Sequence, residues 1–313
     1  MAGTFTHWMV VEETLDRYDK LPTQHQHHYF STILGLNHFV CLGAVGADYP
    51  YLTQLLGGFL KIHSWADRMH YESSGEFIRH GIRYLHGIGA DGFDVCLAWF
   101  CGFATHLITD SVIHPVVQAI VGPYIFNSGE HRHCELIQDS YIFHEIKGIE
   151  LEYAEYVRLF KMCSDPTKVD KINPYLRSFW TETLKASHPG ATTDQIDKID
   201  PDSWHKNFLS KISSASNPPV FRHLATVENL AYKKTTEFTQ DEKQRFVEEI
   251  NLPGNKKGEF KKDAFYKAVN TVIETWNRLF NDIENNNPAG TNTYIRNWDL
   301  DTGVDEDKQD FWP

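Results

Sequence analysis

Apolar residues recur along most of this chain with the period of an α-helix. In residues 7–18, Trp8, Val11 and Leu15 are spaced by three and four positions, and similar spacing continues through residues 24–42. The alternation that is typical of β-strands is scarce. Further helices are predicted over residues 74–86, 91–120, 130–163, 175–187, 223–250 and 261–284. The pattern therefore predicts an all-α protein.

The composition of the chain changes after residue 165, where prolines and polar segments typical of loops become frequent. We expect residues 1–165 to form a helical core and residues 166–313 to form a C-terminal helical region of the same domain. Its last part, residues 287–313, is an acidic tail that is either docked or mobile. The most apolar stretch, residues 95–117, is interrupted by His106, Asp110 and His114, which favours a buried helix over a membrane span.

Composition and charge narrow the possible functions. The 313 residues include 30 basic and 42 acidic side chains, and the resulting net charge of -12 argues against a protein held on nucleic acid or an anionic membrane by charge. The five cysteines have no CxxC spacing, so reduced thiols are expected. No secretory signal is visible, and we expect a cytoplasmic protein or one exported by a non-classical or specialised route. Fourteen of the 17 histidines precede residue 150, which calls for a local explanation.

The sharpest motif is HLITDSVIH, in which His106, Asp110 and His114 follow one another at intervals of four residues. Each such step in a helix turns about 40° past a full circle, so the three side chains span about 80° and share one face. A single histidine on such a helix is more often a core residue whose polar atoms bond to neighbouring backbone. Burying two imidazoles and a carboxylate together is costly unless each is paired or bound to a metal. The triplet therefore predicts a metal site.

A second motif, HRHCELIQD, supplies His131 and Glu135 at the same spacing, with Asp139 placed one step further to orient His131. An isolated HxxxE pair is more often an exposed helical pair. The remaining single candidates are His7, Asp48, and either His70 or His63. Imidazole and carboxylate ligands without thiolates suit zinc, and more than four such groups indicate a multinuclear hydrolytic site.

The order THW, GADYP, HSWADRMH, HLITDSVIH and HRHCE, within residues 2–140, resembles the zinc-dependent phospholipase C family. That family includes bacterial phosphatidylcholine-hydrolysing enzymes and the amino-terminal domain of the GPI-specific phospholipase D, with the S1/P1-type nucleases as more distant relatives. The resemblance implies an all-α multi-helix bundle that holds three zinc ions. It implies the metal ligands Ala2, His7, Asp48, His70, His106, Asp110, His114, His131 and Glu135. Asp110 would bridge metals, His70 is preferred to His63, and removal of Met1 would free the Ala2 amine.

The same resemblance implies a phospholipase C that cleaves the glycerol-side phosphodiester bond with metal-activated water, with Asp48 and Asp110 as catalytic residues. We expect phosphatidylcholine at a membrane surface as a transient partner, no stable nucleic-acid binding, and a monomer. One alternative is an S1/P1-type zinc nuclease, although position 135 carries Glu where those nucleases usually carry Asp. The other is a catalytically silent metal-binding interaction protein, against which the complete set of ligand types argues.

Overall fold

The computed structural model describes residues 3–22, 26–54, 65–151, 157–214 and 232–312, and it confirms the all-α prediction. The helices are α1 (Thr4–Asp19), α2 (Tyr29–Gly35), α3 (Asn37–Gly43), α4 (Tyr49–Gln54), α5 (Trp65–Tyr71), α6 (Ser74–Gly87), α7 (Ala90–Val121), α8 (Tyr124–Lys147), α9 (Val157–Met162), α10 (Pro174–Ser187), α11 (Thr193–Ile196), α12 (Pro201–Ser214), α13 (Gln240–Lys243) and α14 (Tyr266–Glu284). Short π-helices cover Gln244–Glu248 and Phe260–Phe265, and 3₁₀-helices cover Thr235–Glu237 and Pro288–Thr293.

Three antiparallel hairpins of short strands are the β-structure of the described residues. They pair β1 (Ser164–Asp165) with β2 (Lys168–Ile172), β3 (Ile250–Leu252) with β4 (Lys256–Gly258), and β5 (Trp298–Asp299) with β6 (Val304–Asp305). None of these hairpins joins another to form a larger sheet. The core is therefore made by helix packing.

The 32-residue helix α7 lies at the centre of the molecule, with α1, α3, α6, α8, α10 and α14 packed around it. It is long and apolar enough to cross a membrane, but its most apolar 18-residue stretch is 100% buried inside the protein. A helix enclosed on all sides by other helices occupies the position of a core helix. The prediction of a buried helix here is confirmed.

Helices α3 and α7 approach each other closely through two glycines. A Cβ atom at Gly43 would lie 2.0 Å from the carbonyl oxygen of Trp99, and one at Gly102 would lie 2.0 Å from that of Val40. Because carbon and oxygen cannot approach so closely without a clash, both positions require glycine. This contact sets the end of α3, and the turn that follows it, directly against α7.

Several predicted helices were too long. Residues 24–42 do not form one helix, because Leu36 leaves helical dihedral angles (φ -112°, ψ 31°) between α2 and α3. The helix predicted over residues 130–163 ends at Lys147, where Gly148 has a φ of +70°, the left-handed conformation common after helix C-termini. In the described part of residues 223–250, short helical turns replace the long predicted helix.

The C-terminal segment, residues 294–312, is docked against the helices of the first half of the chain. The Asn297 side chain accepts hydrogen bonds from the backbone N–H groups of Gly75 and Glu76, so it caps the N-terminus of α6. Trp312 Nε1 donates to the carbonyl oxygen of Val112 in α7 at 2.9 Å. Residues distant in sequence are thereby fixed to the central helix.

Candidate metal centre

Asp110 of α7 lies at the centre of a buried cluster of histidines. Its Oδ1 atom is 3.2 Å from His7 Nε2 and 3.1 Å from His114 Nε2. Its Oδ2 atom is 3.2 Å from His106 Nε2 and 3.7 Å from His70 Nε2. Each carboxylate oxygen thus faces two imidazoles, an arrangement in which one carboxylate can bridge two cations.

Four separate elements supply this cluster. The i, i+4, i+8 spacing on α7 places three of the residues on one face, as the sequence predicted, while α1 contributes His7 and α5 contributes His70. Asp48 comes from the turn between α3 and α4, and its Oδ1 atom is 3.0 Å from His70 Nε2. The rings of His7 and His106 stack with their centroids 4.5 Å apart.

Backbone carbonyls orient two of the imidazoles. His106 Nδ1 is 3.0 Å from the carbonyl oxygen of Ala44, and His70 Nδ1 is 2.8 Å from that of Ala66. A carbonyl oxygen can only accept a hydrogen bond, so Nδ1 carries the proton in both rings. The lone pair of each neutral ring is then on Nε2, which points into the cluster as a metal ligand would.

The donor set fits zinc. Burial without a hydrogen-bond partner is costly, yet several polar atoms of the cluster have none among the described residues. These atoms are Nε2 of His7, His70, His106 and His114, together with Oδ1 of Asp48. In two triplets, His7–Asp48–His106 and His70–His106–Asp110, the ligand atoms all lie within 4.8 Å of one another. Nitrogen and carboxylate oxygen atoms held this closely are what zinc prefers.

The electrostatics of the cluster keep its carboxylates ionised. Burial raises the pKa of Asp110, but His114, His106 and His7 outweigh that effect and hold its pKa well below its usual value. The pKa of Asp48 is lowered in the same way by His106 and His70. Burial lowers the pKa of His70, but Asp48 and Asp110 outweigh it and raise the pKa to about 9, so a cation that binds at Nε2 takes the place of a proton there. The cluster therefore offers negative charge to a cation.

His131 and Glu135 are buried on α8 beside this cluster, with other immediate partners. His131 Nε2 bonds to the carbonyl oxygen of Gly122, which leaves Nδ1 as the atom with the lone pair. Glu135 Oε2 is 3.5 Å from Arg132 Nη1. Burial lowers the pKa of His131, while the Gly122 carbonyl and Glu135 act in the opposite direction. Both residues stay predicted ligands, since neither belongs to the His7–Asp48–His106 triplet or to the His70–His106–Asp110 triplet.

Asp139 has a different place from the one predicted. Its carboxylate accepts hydrogen bonds from the backbone N–H groups of Phe5 and Thr6 and from the hydroxyl group of Tyr232. A Cβ atom at Gly3 would lie 2.1 Å from this carboxylate, so only glycine fits there. Asp139 therefore caps the N-terminus of α1, the helix that carries His7.

Two further candidates, Ala2 and His63, lie outside the described residues. His70, the histidine preferred in the sequence, is 1% exposed and lies in the cluster. Whether the Ala2 amine is a ligand stays a prediction.

Asp301 is the residue of this region that sequence reasoning missed. Its Oδ1 atom lies 3.5 Å from His114 Nδ1, and its Oδ2 atom accepts a hydrogen bond from the Tyr71 hydroxyl group at 2.8 Å. The carbonyl oxygen of the same residue accepts a bond from the Gln118 side chain. In the sequence, Asp301 is one of several acidic residues in the run DLDTGVDED, and nothing in their spacing connects one of them to α7.

Comparison with known proteins gives one match. A family model described as zinc dependent phospholipase C matches residues 6–190. The matched range contains every predicted ligand except Ala2. No curated protein and no solved structure matches the chain.

Proposed function

The chain belongs to the zinc dependent phospholipase C family, and on that basis we propose that its buried cluster hydrolyses the glycerol-side phosphodiester bond of phospholipids. The observation that carries this proposal is the position of Asp110, whose two carboxylate oxygens each face two histidine Nε2 atoms at 3.1–3.7 Å. A bridging carboxylate surrounded by imidazoles is typical of multinuclear hydrolytic metal sites.

We assign three zinc ions to this centre. Asp48, His70, His106 and Asp110 would hold the first ion. His7, Asp110 and the Ala2 amine would hold the second, and His114, His131 and Glu135 the third. The support is the set of buried imidazole nitrogens without hydrogen-bond partners among the described residues, and the tautomers that the Ala44 and Ala66 carbonyls impose.

Bound zinc lowers the pKa of a coordinated water and neutralises charge on phosphoryl oxygens. The protein contributes the arrangement around that chemistry. Asp110 and Asp48 hold negative charge in a site where they are 0% and 2% exposed, and we assign both a catalytic role. We assign to Asp48 the role of proton acceptor for the attacking water, because its carboxylate is ionised and its Oδ1 atom lies 3.0 Å from His70 Nε2 within the cluster. The Nδ1 bonds of His70 and His106 keep their rings from rotating during the reaction.

Phosphatidylcholine is the substrate that we propose, met transiently at a membrane surface by a monomeric enzyme. A protein of net charge -12 is repelled by anionic lipid surfaces, whereas a zwitterionic surface presents no net charge to it. The same charge disfavours stable binding of nucleic acid.

The test combines metal content with two substrates. Wild-type protein and an Asp110→Asn variant are analysed for bound zinc and assayed on phosphatidylcholine and on single-stranded DNA. Asp282→Asn is the matched control, because Asp282 is also a buried carboxylate on a helix, α14, but its bonds are to Tyr294 and Asn287, which follow that helix. We expect the wild type and the control to bind zinc and cleave the lipid, and the Asp110 variant to lose both properties.

Each other result decides against this proposal in a different way. Absence of zinc from the wild type would exclude both enzyme functions. Cleavage of DNA without cleavage of lipid would identify a nuclease. Bound zinc without either activity would identify a catalytically silent metal-binding protein.

A further inference from the structure

The first turn of α8, which follows α7 almost directly, carries the most exposed large apolar side chains among the described residues. Ile125 is 82% exposed and Phe126 is 81% exposed, and Tyr124 beside them is 48% exposed. We call residues 122–127 the apolar tip. Adjacent exposed apolar side chains of this size commonly mark a site of interaction.

The backbone of the apolar tip is held in one conformation. Gly122 has a φ of +85° and closes α7 by donating its N–H to the carbonyl oxygen of Gln118 at 2.8 Å. Phe126 N–H donates to the carbonyl oxygen of Pro123 at 3.2 Å, and Asn127 then departs from helical angles (φ -139°, ψ 35°). Since the turn is already ordered, docking through Ile125 and Phe126 requires little loss of backbone entropy.

The apolar tip is attached directly to the proposed zinc centre. The carbonyl oxygen of Gly122 is the hydrogen-bond partner of His131 Nε2, and the Tyr124 ring packs edge-on to the His131 ring with centroids 5.3 Å apart. The tip also joins α7, which carries His114, to α8, which carries His131 and Glu135. A surface that engages the tip is therefore brought next to the metal-binding residues.

The charge around the tip indicates which kind of surface fits. Residues 115–129 contain no charged side chain. The first acidic residue after them, Glu130, lies 3.1 Å from Arg245. An uncharged projection on a protein of net charge -12 suits a zwitterionic lipid surface, where insertion of apolar side chains, and not charge attraction, supplies the binding free energy.

We propose that the apolar tip docks the protein onto zwitterionic lipid, with Ile125 and Phe126 inserted at the boundary between headgroups and acyl chains. This inference rests on the proposed function, because a lipid phosphodiesterase must reach a bond at that depth. A projection with both side chains more than four-fifths exposed fits a deformable lipid layer without a matching groove.

Vesicle binding by the full chain tests the proposal. Partition of the zinc-loaded protein onto phosphatidylcholine vesicles is measured by flotation for the wild type and for an Ile125→Ser, Phe126→Ser double variant. The matched control is Val169→Ser, since Val169 is 74% exposed on strand β2. We expect the double variant to bind at least about tenfold more weakly, equivalent to about 1.4 kcal/mol, and the control to bind like the wild type.

A salt series separates insertion from charge attraction. Raising the salt concentration from about 0.1 to about 0.5 M is expected to leave the partition of the wild type nearly unchanged, because salt screens interactions between charges and leaves the insertion of apolar side chains in place. Zinc content and thermal unfolding of the double variant show that it is folded. Equal vesicle binding by the double variant and the wild type would overturn the proposal. So would a wild-type dimer, seen by light scattering, that the double substitution converts to a monomer.

The proposed function is tested separately with a short-chain phosphatidylcholine below its micelle concentration. Hydrolysis of this dispersed substrate by the wild type and by Val169→Ser does not require a lipid surface. If neither protein cleaves it, the proposed function fails, while the vesicle comparison still decides whether the tip binds lipid.

Discussion

Replacing Asp301 by asparagine tests whether the C-terminal segment positions His114 for metal binding. The Asp301 side chain is 23% exposed, its Oδ1 atom is 3.5 Å from His114 Nδ1, and its Oδ2 atom accepts a hydrogen bond from Tyr71. Asparagine keeps the size of the side chain and one oxygen that can accept the Tyr71 bond. It removes the negative charge beside the imidazole, which takes on positive character when Nε2 binds a cation, and it replaces the oxygen that faces His114 Nδ1 by an NH2 group, which cannot accept a hydrogen bond.

The expected loss of zinc-binding free energy follows from the distance between Asp301 and His114. Two unit charges 3.5 Å apart interact by about 1 kcal/mol in water and by about 5 kcal/mol at an effective dielectric constant of about 20. Asp301 is partly exposed, and the ring carries only part of the cation's charge. The interaction energy is therefore expected near the lower of these two values, at about 1–2 kcal/mol. That free energy corresponds to a zinc affinity about 5- to 30-fold weaker, in line with the effect of removing carboxylate partners from other metal-binding histidines.

Zinc affinity is measured by competition with a chromogenic chelator, with the stoichiometry determined in the same titration. The control is Asp307→Asn, which removes the same charge from the same segment at a side chain that is 62% exposed and pairs with Arg296. We expect only the Asp301 variant to release one class of zinc ion more readily. An Asp301 variant with wild-type affinity at every site would refute the positioning role.

Two further predictions concern stability. Gly102→Ala places a methyl group 2.0 Å from the carbonyl oxygen of Val40 and is expected to lower the free energy of unfolding by about 1–3 kcal/mol in urea, whereas Gly35→Ala, with open space around it, is expected to change it little. Burial lowers the pKa of His205 to about 4, whereas the pKa in the unfolded chain is about 6.5. Because the unfolded chain therefore binds the proton first, the free energy of unfolding decreases as the pH falls from about 6.5 towards 4. Between pH 7 and pH 5 the metal-free wild type is expected to lose about 2 kcal/mol more than His205→Gln, and equal losses in the two proteins would contradict this.

The parts of the site that lie on one helix could be predicted from the sequence. Helical geometry alone places His106, Asp110 and His114 on one face of α7. In the structure the Nε2 atoms of both histidines lie within 3.2 Å of the Asp110 carboxylate. The glycine and proline residues on either side of Asp48, in the segment GADYP, are typical of a turn, and the structure has a turn there. These features depend on short-range geometry, which is the same in any protein.

The parts that depend on contacts between distant residues could not be predicted. The Gly43–Gly102 approach, the Asn297 cap of α6 and the position of Asp301 each join residues more than fifty positions apart, and no periodicity encodes such pairings. The end of α8 at Gly148 is a different case. Glycine is a common signal for a helix C-terminus, and the prediction of a helix over residues 130–163 was wrong because it passed over the glycine that follows Lys147.

The docking of the C-terminal segment on α7 has a consequence for the time at which the centre matures. The histidines of α7 leave the ribosome well before Asp301, by roughly 10–40 s at ordinary rates of translation. During that interval His106 and His114 can already be in a helix, but the carboxylate beside His114 Nδ1 does not yet exist. A nascent chain that captures zinc early therefore binds it at a centre that still lacks Asp301. The carboxylate of Asp301 reaches His114 only after the C-terminal segment has been synthesised and has docked on α7.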